Sequence, residues 1–266
     1  MIDTLTAVIY GIIQGLTEFL PISSSGHLAL LPKILNKEDP GIIFDLAMHV
    51  GTGLAVALYF FKDLKKMGLA LLKPKDNQQT FSFSVNMVIA TLSSIVLIFL
   101  IKDFAKEHGR QMSWISFNLA VFGVLMVVID AKAMNIENSY MSKKIQWLKS
   151  ILVGFSQAIA VFPGVSRSGS TLTMARALGL SRLESTRFSF LLSLPIIFGG
   201  FVYKLKDVQG QDAFQIDMLV LGIVISFVVG LLAIHFFLKY VSQFGLKYFG
   251  AYRVVTAIIL YFVFLR

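Results

Sequence analysis

The chain has 266 residues, 56% hydrophobic and only 15% charged, with a formal net charge of +9. A soluble domain carries about 25% charged residues, so an ordinary soluble globule is excluded. There is no cysteine, which removes disulfides, cysteine-ligated zinc and thiol catalysis. The positive charge does not form basic runs interleaved with aromatics, the footprint that nucleic acid requires, and no nucleic-acid partner is expected. In membrane proteins Lys and Arg gather instead in cytoplasmic loops.

Met1–Thr6 holds an acid and no Lys or Arg. It lacks the basic n-region of a signal peptide, so the first apolar stretch is expected to stay in the mature protein. A helix-loop-helix is predicted at about Leu5–Leu31, broken at Leu20-Pro21 because proline has no donor and opposes helix at the residue before it. Spans follow at about 42–61, 84–101 and 114–130. Met87–Ile101 and Phe117–Ile129 contain no charge, and roughly 20 mainly apolar residues cross a bilayer. Asp45 and His49, four apart in the first span, are candidates to extend a polar site. Lys62–Lys75 reads as a cytoplasmic anchoring face. His108 is expected in a loop. A second helix-loop-helix is predicted at about 149–178, broken at Phe162-Pro163-Gly164, with spans at about 187–204, 216–238 and 251–265. His235 is expected near an interface.

The two broken hairpins are related. Gly11 to Gly26 lies without gaps over Gly154 to Gly169. Gln14 meets Gln157, Phe19 meets Phe162, Ser23 meets Ser166, and Ser25-Gly26 meets Ser168-Gly169. Chance similarity of apolar segments explains the Phe match but not the shared Gln and Ser-x-Ser-Gly pattern. One membrane domain spanning 1–266 is therefore expected, with repeats at 1–133 and 144–266. Backbone freed by the prolines cannot face lipid but can line a cavity as a re-entrant loop. Each half then crosses three times, and the halves are inverted. The fold class is an all-α polytopic membrane protein of two inverted-topology repeats. Each is a re-entrant helix-loop-helix plus three transmembrane helices. Lys and Arg then divide eight to fifteen between the two sides, with Arg110, Lys206 and Arg266 on the poorer side and Lys143, Arg176 and Arg253 on the richer one. The richer side should be cytoplasmic, which places the first hairpin's mouth outside and lets the two tips meet near the midplane.

At the tips stand the polar residues. Gln14 and Glu18, four apart, share a helical face. Ser24 and His27 open the return helix. Arg167 and Thr171 are again four apart, with Ser166 and Ser168 flanking the arginine. A charged residue at mid-helix costs roughly 2.5–3.5 kcal/mol, so Glu18 and Arg167 call for a shared wet site. Arg167 offers a fork of donors suited to phosphate, the serines and Thr171 offer hydroxyls, and a helix start near Ser168 points N–H groups at an anion. Glu18 and Gln14 are candidates to hold a divalent cation through oxygen, as Mg²⁺ prefers. His27 can attack phosphorus or act as acid or base, and the residues do not choose. The serines and glycines equally serve close packing. Inverted repeats with broken helices are also features of transporters, so a lipid flippase or anion transporter is the alternative.

These motifs resemble those of the undecaprenyl-diphosphate phosphatase family of bacteria, also called the bacitracin resistance protein family. The resemblance rests on Gln14–Glu18 with Phe19–His27, on Pro163–Thr171, and on Phe188–Pro195. It implies hydrolysis of undecaprenyl diphosphate to the monophosphate and phosphate. That reaction recycles the lipid carrier for cell-wall synthesis and confers bacitracin resistance. It further implies a divalent cation, Mg²⁺ or Ca²⁺, a bacterial cytoplasmic-membrane location, and a site facing the periplasm or cell exterior. Glu18, His27 and Arg167 are then catalytic. Ser24, Ser166, Arg167, Ser168 and Thr171 bind the diphosphate, with Gln14 and Glu18 as metal candidates. Gln14 and Arg187 stand where family members carry Glu, with Glu184 nearby. The partners implied are a polyprenyl diphosphate and the bilayer, with the oligomeric state open, a homodimer included.

Overall fold

The computed structural model describes residues 3–109, 111–133, 144–204 and 215–264. The basic residues Arg110, Lys143, Lys206 and Arg266 of the charge count lie outside the described residues, as do the segment between the two halves and the last residue of the final predicted span. The described residues form eleven helices and no strand. In the first half these are α1 (Thr4–Thr17), α2 (Ser24–Leu35), α3 (Ile42–Tyr59), α4 (Phe61–Leu72), α5 (Gln78–His108) and α6 (Met112–Lys132). In the second they are α7 (Trp147–Ile159), α8 (Arg167–Ala177), α9 (Arg182–Lys204), α10 (Ile216–Phe244) and α11 (Lys247–Phe264). Helices α5, α6, α9, α10 and α11 are each long and apolar enough to cross a membrane, and α3 and α4 qualify together across a 74° bend. The protein is an all-α polytopic membrane protein.

The membrane solvent explains which faces are buried. On α10, Val224, Val228, Leu232 and Phe236 recur every fourth residue and are exposed, the lipid-facing stripe. Gly222, Ser226 and Gly230 recur on another face and are buried. Lipid is as apolar as leucine, so helices associate through close packing of small residues. Each hairpin's first arm uses that packing on a span of the other half: α1 lies along α10, and α7 along α5. A Cβ at Gly11 would come 2.9 Å from that of Ile225, and one at Gly15 2.7 Å from that of Val229. One at Gly154 would overlap the Ala90 carbonyl. The remaining cross-half pairs include α3 with α10 and α9, α6 with α11 and α8, and α5 with α9.

Two arginines need correcting. Arg176 and Arg253 were counted as charges beside the membrane, but both are fully buried inside helices. Arg176 Nε donates to Asp130 Oδ1 at 3.0 Å, and Arg182 reaches the same carboxylate at 2.9 Å. This cluster ties α6 to both ends of the α8–α9 turn. Without these two residues the basic excess keeps its sign. The anchoring segment Lys62–Lys75 is largely the separate helix α4, whose Asp63 pairs with Arg187 of α9 at 3.1 Å. His108 is the last residue of α5 and not a loop residue. At the N-terminus Asp3 caps α1 by accepting from the Thr6 amide at 2.8 Å. The Lys37 ammonium beside it, with that cap, holds the Asp3 carboxyl well below the ordinary range.

Candidate active site

The two loops meet, and their backbones are alike. Ser23 and Ser166, equivalent in the repeat, both have positive φ, 76° and 71°, a conformation that costs a non-glycine residue about 1–2 kcal/mol. Each is the N-cap of a return helix, and each hydroxyl accepts from the amide three residues on, Gly26 at 3.3 Å and Gly169 at 3.1 Å. Helices α2 and α8 therefore begin at the seam and direct their first N–H groups, the positive ends of their dipoles, toward it. The seam is bonded across. The Gly164 amide donates to Ser23 Oγ at 3.0 Å, and Ser168 Oγ donates to the Leu20 carbonyl at 3.3 Å.

Glu18 is the centre of the polar cluster. It is 6% exposed. Arg167 Nη2 donates to Oε1 at 2.7 Å, joining the hairpins through an ion pair. Ser24 Oγ donates to Oε2 at 2.6 Å and Gln14 Nε2 to the same oxygen at 3.0 Å. Arg167 is set in turn by the Ser189 carbonyl of α9, 3.1 Å from Nη1. His49, placed in the first span as a candidate extension, reaches the cluster: Nε2 lies 3.5 Å from Glu18 Oε2. Its Nδ1 is held by the Asp45 carbonyl at 2.7 Å. Gln14 Nε2 also donates to Thr52 at 3.4 Å, while Gln14 Oε1 is buried without a hydrogen-bond partner.

The other expected residues are placed differently. Ser166, Ser168 and Thr171 are buried and their hydroxyls support the loop. Ser166 caps, Ser168 bonds the seam, and Thr171 Oγ1 lies 2.6 Å from Ser189 Oγ. They shape the place where Arg167 stands. His27 is partly exposed. Its Nδ1 meets the Ser23 carbonyl at 2.8 Å, and its Nε2 meets Tyr252 Oη of α11 at 2.7 Å.

Arg253 is the residue that sequence reasoning missed. It is fully buried and donates to carbonyls of both loops: Pro21 at 3.1 Å, Gly164 at 2.7 Å and Val165 at 2.9 Å. One guanidinium fork can serve several acceptors at fixed angles. The signal was the register of α11. Gly250, Arg253, Ala257 and Leu260 share one buried face, so the arginine stands among the residues that turn inward.

One carboxylate and one orphaned amide oxygen fit a cation that takes the rest of its shell from substrate phosphate and water, the habit of Mg²⁺. Among the described residues no group of three or more His, Asp and Glu is placed to hold a metal by itself. The sequence profile of one family, described as bacitracin resistance protein BacA, matches residues 7–259.

Proposed function

Since the chain belongs to the bacitracin resistance protein family, we propose that it hydrolyses undecaprenyl diphosphate to undecaprenyl phosphate and phosphate. The family carries phosphatase chemistry, and the joined tips supply groups suited to it. The observation that carries the reading is the Arg167–Glu18 pair, 2.7 Å long and formed between two hairpins. Anion binding alone does not call for a buried carboxylate beside the arginine.

In this reading Arg167 and the helix starts hold the diphosphate head while the polyprenyl tail lies in lipid between spans. Glu18 and Gln14 hold the divalent cation, Mg²⁺ or Ca²⁺. Bound there, it supplies charge neutralisation at the phosphate oxygens. His27 Nε2, the ring nitrogen not tied to the backbone, serves the attack on phosphorus. The nucleophile, the imidazole nitrogen or a water that it deprotonates, bonds to the terminal phosphorus as the bond from that phosphorus to the bridging oxygen breaks; undecaprenyl phosphate leaves, and a phosphohistidine, where one forms, is hydrolysed by water to free phosphate. The basic excess on the opposite side supports a site facing the periplasm or cell exterior of a bacterial cytoplasmic membrane. Recycled carrier then returns to cell-wall synthesis, and the activity confers bacitracin resistance.

The test is phosphate release from a polyprenyl diphosphate by purified protein in detergent with Mg²⁺ or Ca²⁺. Release that Arg167→Ala and Glu18→Ala abolish is the expected result. No release, or release undiminished in both variants, overturns the reading. Transport of the lipid head across vesicles without release favours the flippase or transporter instead. A trapped phosphohistidine, or direct entry of solvent oxygen into phosphate, separates attack by the His27 ring from attack by water.

A further inference from the structure

His27 lies on α2 and Tyr252 on α11, far apart in sequence, yet the phenol oxygen sits 2.7 Å from Nε2. The two rings are nearly parallel, 9° apart with centroids 5.8 Å apart. The other ring nitrogen, Nδ1, faces the Ser23 carbonyl at 2.8 Å. A carbonyl only accepts, so Nδ1 carries the hydrogen. In the neutral ring Nε2 is then the lone-pair nitrogen, and the phenol O–H donates to it. When Nε2 takes up a proton, its N–H donates to the phenol oxygen and the phenol hydrogen turns away. One hydroxyl thus matches both states of the imidazole without movement of heavy atoms. Phenylalanine matches neither.

A second observation fixes the geometry. The next residue along α11 is Arg253, which bonds the carbonyls of Pro21, Gly164 and Val165. The height of α11 against the loops is therefore set one residue from Tyr252. The first loop carries Ser23, whose carbonyl orients the same imidazole. Both anchors of the His27 ring are held in one frame.

We propose that Tyr252 is a positioning residue for His27, holding the imidazole in the Nδ1–H tautomer with Nε2 as its lone-pair nitrogen in the resting site, and yielding Nε2 when the reacting group takes its place. The inference rests on the part given to His27 in the proposed hydrolysis. A partner that fixes the tautomer and direction of a working imidazole acts through it and need not touch the substrate.

The decisive variant is Tyr252→Phe, which keeps the ring and removes the hydroxyl. Histidine ¹⁵N spectra of the ligand-free protein in detergent, with His27→Gln to assign the signal, read the pair without any turnover. In the unmodified protein Nε2 should appear as an unprotonated nitrogen shielded by an accepted hydrogen bond, and Tyr252→Phe should remove that shielding. In kinetics the variant should lose about tenfold in kcat with KM within about twofold, the pattern of a lost transition-state interaction. An unchanged Nε2 signal overturns the proposal. So does an unchanged kcat, or a loss of kcat explained by a matching fall in melting temperature. If the unmodified protein releases no phosphate, the hydrolase reading fails, while the spectra still decide whether Tyr252 holds His27.

Discussion

Ser23 and Ser166 stand at the same place in the two hairpins, with the same sign of φ and the same capping bond to a glycine amide three residues on. The side chains around this shared frame differ. Glu18 in the first hairpin corresponds to Val161 in the second, and Arg167 in the second corresponds to Ser24 in the first. Gln14 and Gln157 are both buried, but only Gln14 donates to a carboxylate, while Gln157 donates to Ser94 at 3.0 Å. Two loops of like backbone thus carry an acid and an imidazole on one and a guanidinium on the other. Neither loop carries all three groups. Two similar loops brought tip to tip present unlike groups to one another, which a single loop of this length cannot do.

The widest difference between the hairpins should follow removal of the cation that faces across. Arg167→Ala is expected to lower phosphate release by about 10³-fold. Leaving Glu18 buried and unpaired should also destabilise the fold by about 3–5 kcal/mol, read from thermal unfolding in detergent. The double variant Arg167→Ala with Glu18→Ala should regain stability and stay inactive. Melting of the single variant at the unmodified temperature would show that the pair does not join the hairpins. Next comes Arg253→Met, which takes a charged donor from both loops at once. A loss on the order of 3 kcal/mol is expected, with faster hydrogen exchange at both tips together. Arg253→Lys should restore only part, because an ammonium lacks the planar fork. Exchange that rises at one tip alone would break the picture of a common clamp.

Smaller effects test the frame itself. Ser24→Ala removes the 2.6 Å bond to Glu18 and should reduce turnover by about tenfold at a stability loss of about 1–2 kcal/mol. Ser166→Gly relieves the left-handed strain and loses a cap that glycine replaces at a cost of a few tenths of a kcal/mol, so stability should change by less than about 1 kcal/mol. Ser23→Gly should be worse by about 1–2 kcal/mol, because Ser23 Oγ also accepts from the buried Gly164 amide. Equal melting temperatures for the two glycine variants would mean that this loop-to-loop bond contributes nothing.

Much of this was legible in the chain because membranes make long apolar runs and stray polar residues conspicuous. The six expected spans coincide with α3, α5, α6, α9, α10 and α11, and both hairpin breaks fall where Pro21 and Pro163 stand. Helices overran the expected bounds, as α5 does at Gln78–His108, because polar flanking turns continue a helix once outside the apolar core. The joining of Glu18 to Arg167 followed from pairing two costly charges. Ser166, Ser168 and Thr171 were read as binding groups, and the structure shows their hydroxyls bonded to the Gly169 amide, the Leu20 carbonyl and Ser189. Spacing gives a side chain's position on a helix but not which partner its hydroxyl finds. Arg253 and Tyr252 escaped notice because they fall in the opening turns of a span, where a basic residue beside an aromatic one reads as an ordinary interfacial anchor. Only the packing of α11 on α6 brings them under the loops.

The exchanged packing of the first arms has a consequence for the order in which the protein is made. Hairpin one leaves the ribosome early, but the span that seats it through Gly11 and Gly15 is α10, and the arginine that clamps its tip is on α11. Until α8 arrives Glu18 lacks the guanidinium of Arg167, and until α10 arrives the arm lacks the span it packs against most extensively. An unpaired acid is costly within the bilayer, so the early hairpin should wait at the wet surface and enter only when the C-terminal spans are in place. Completion of the chain is then the event that fixes the two loops against each other. Two separately synthesised halves should each remain unfinished alone and acquire the whole site on meeting.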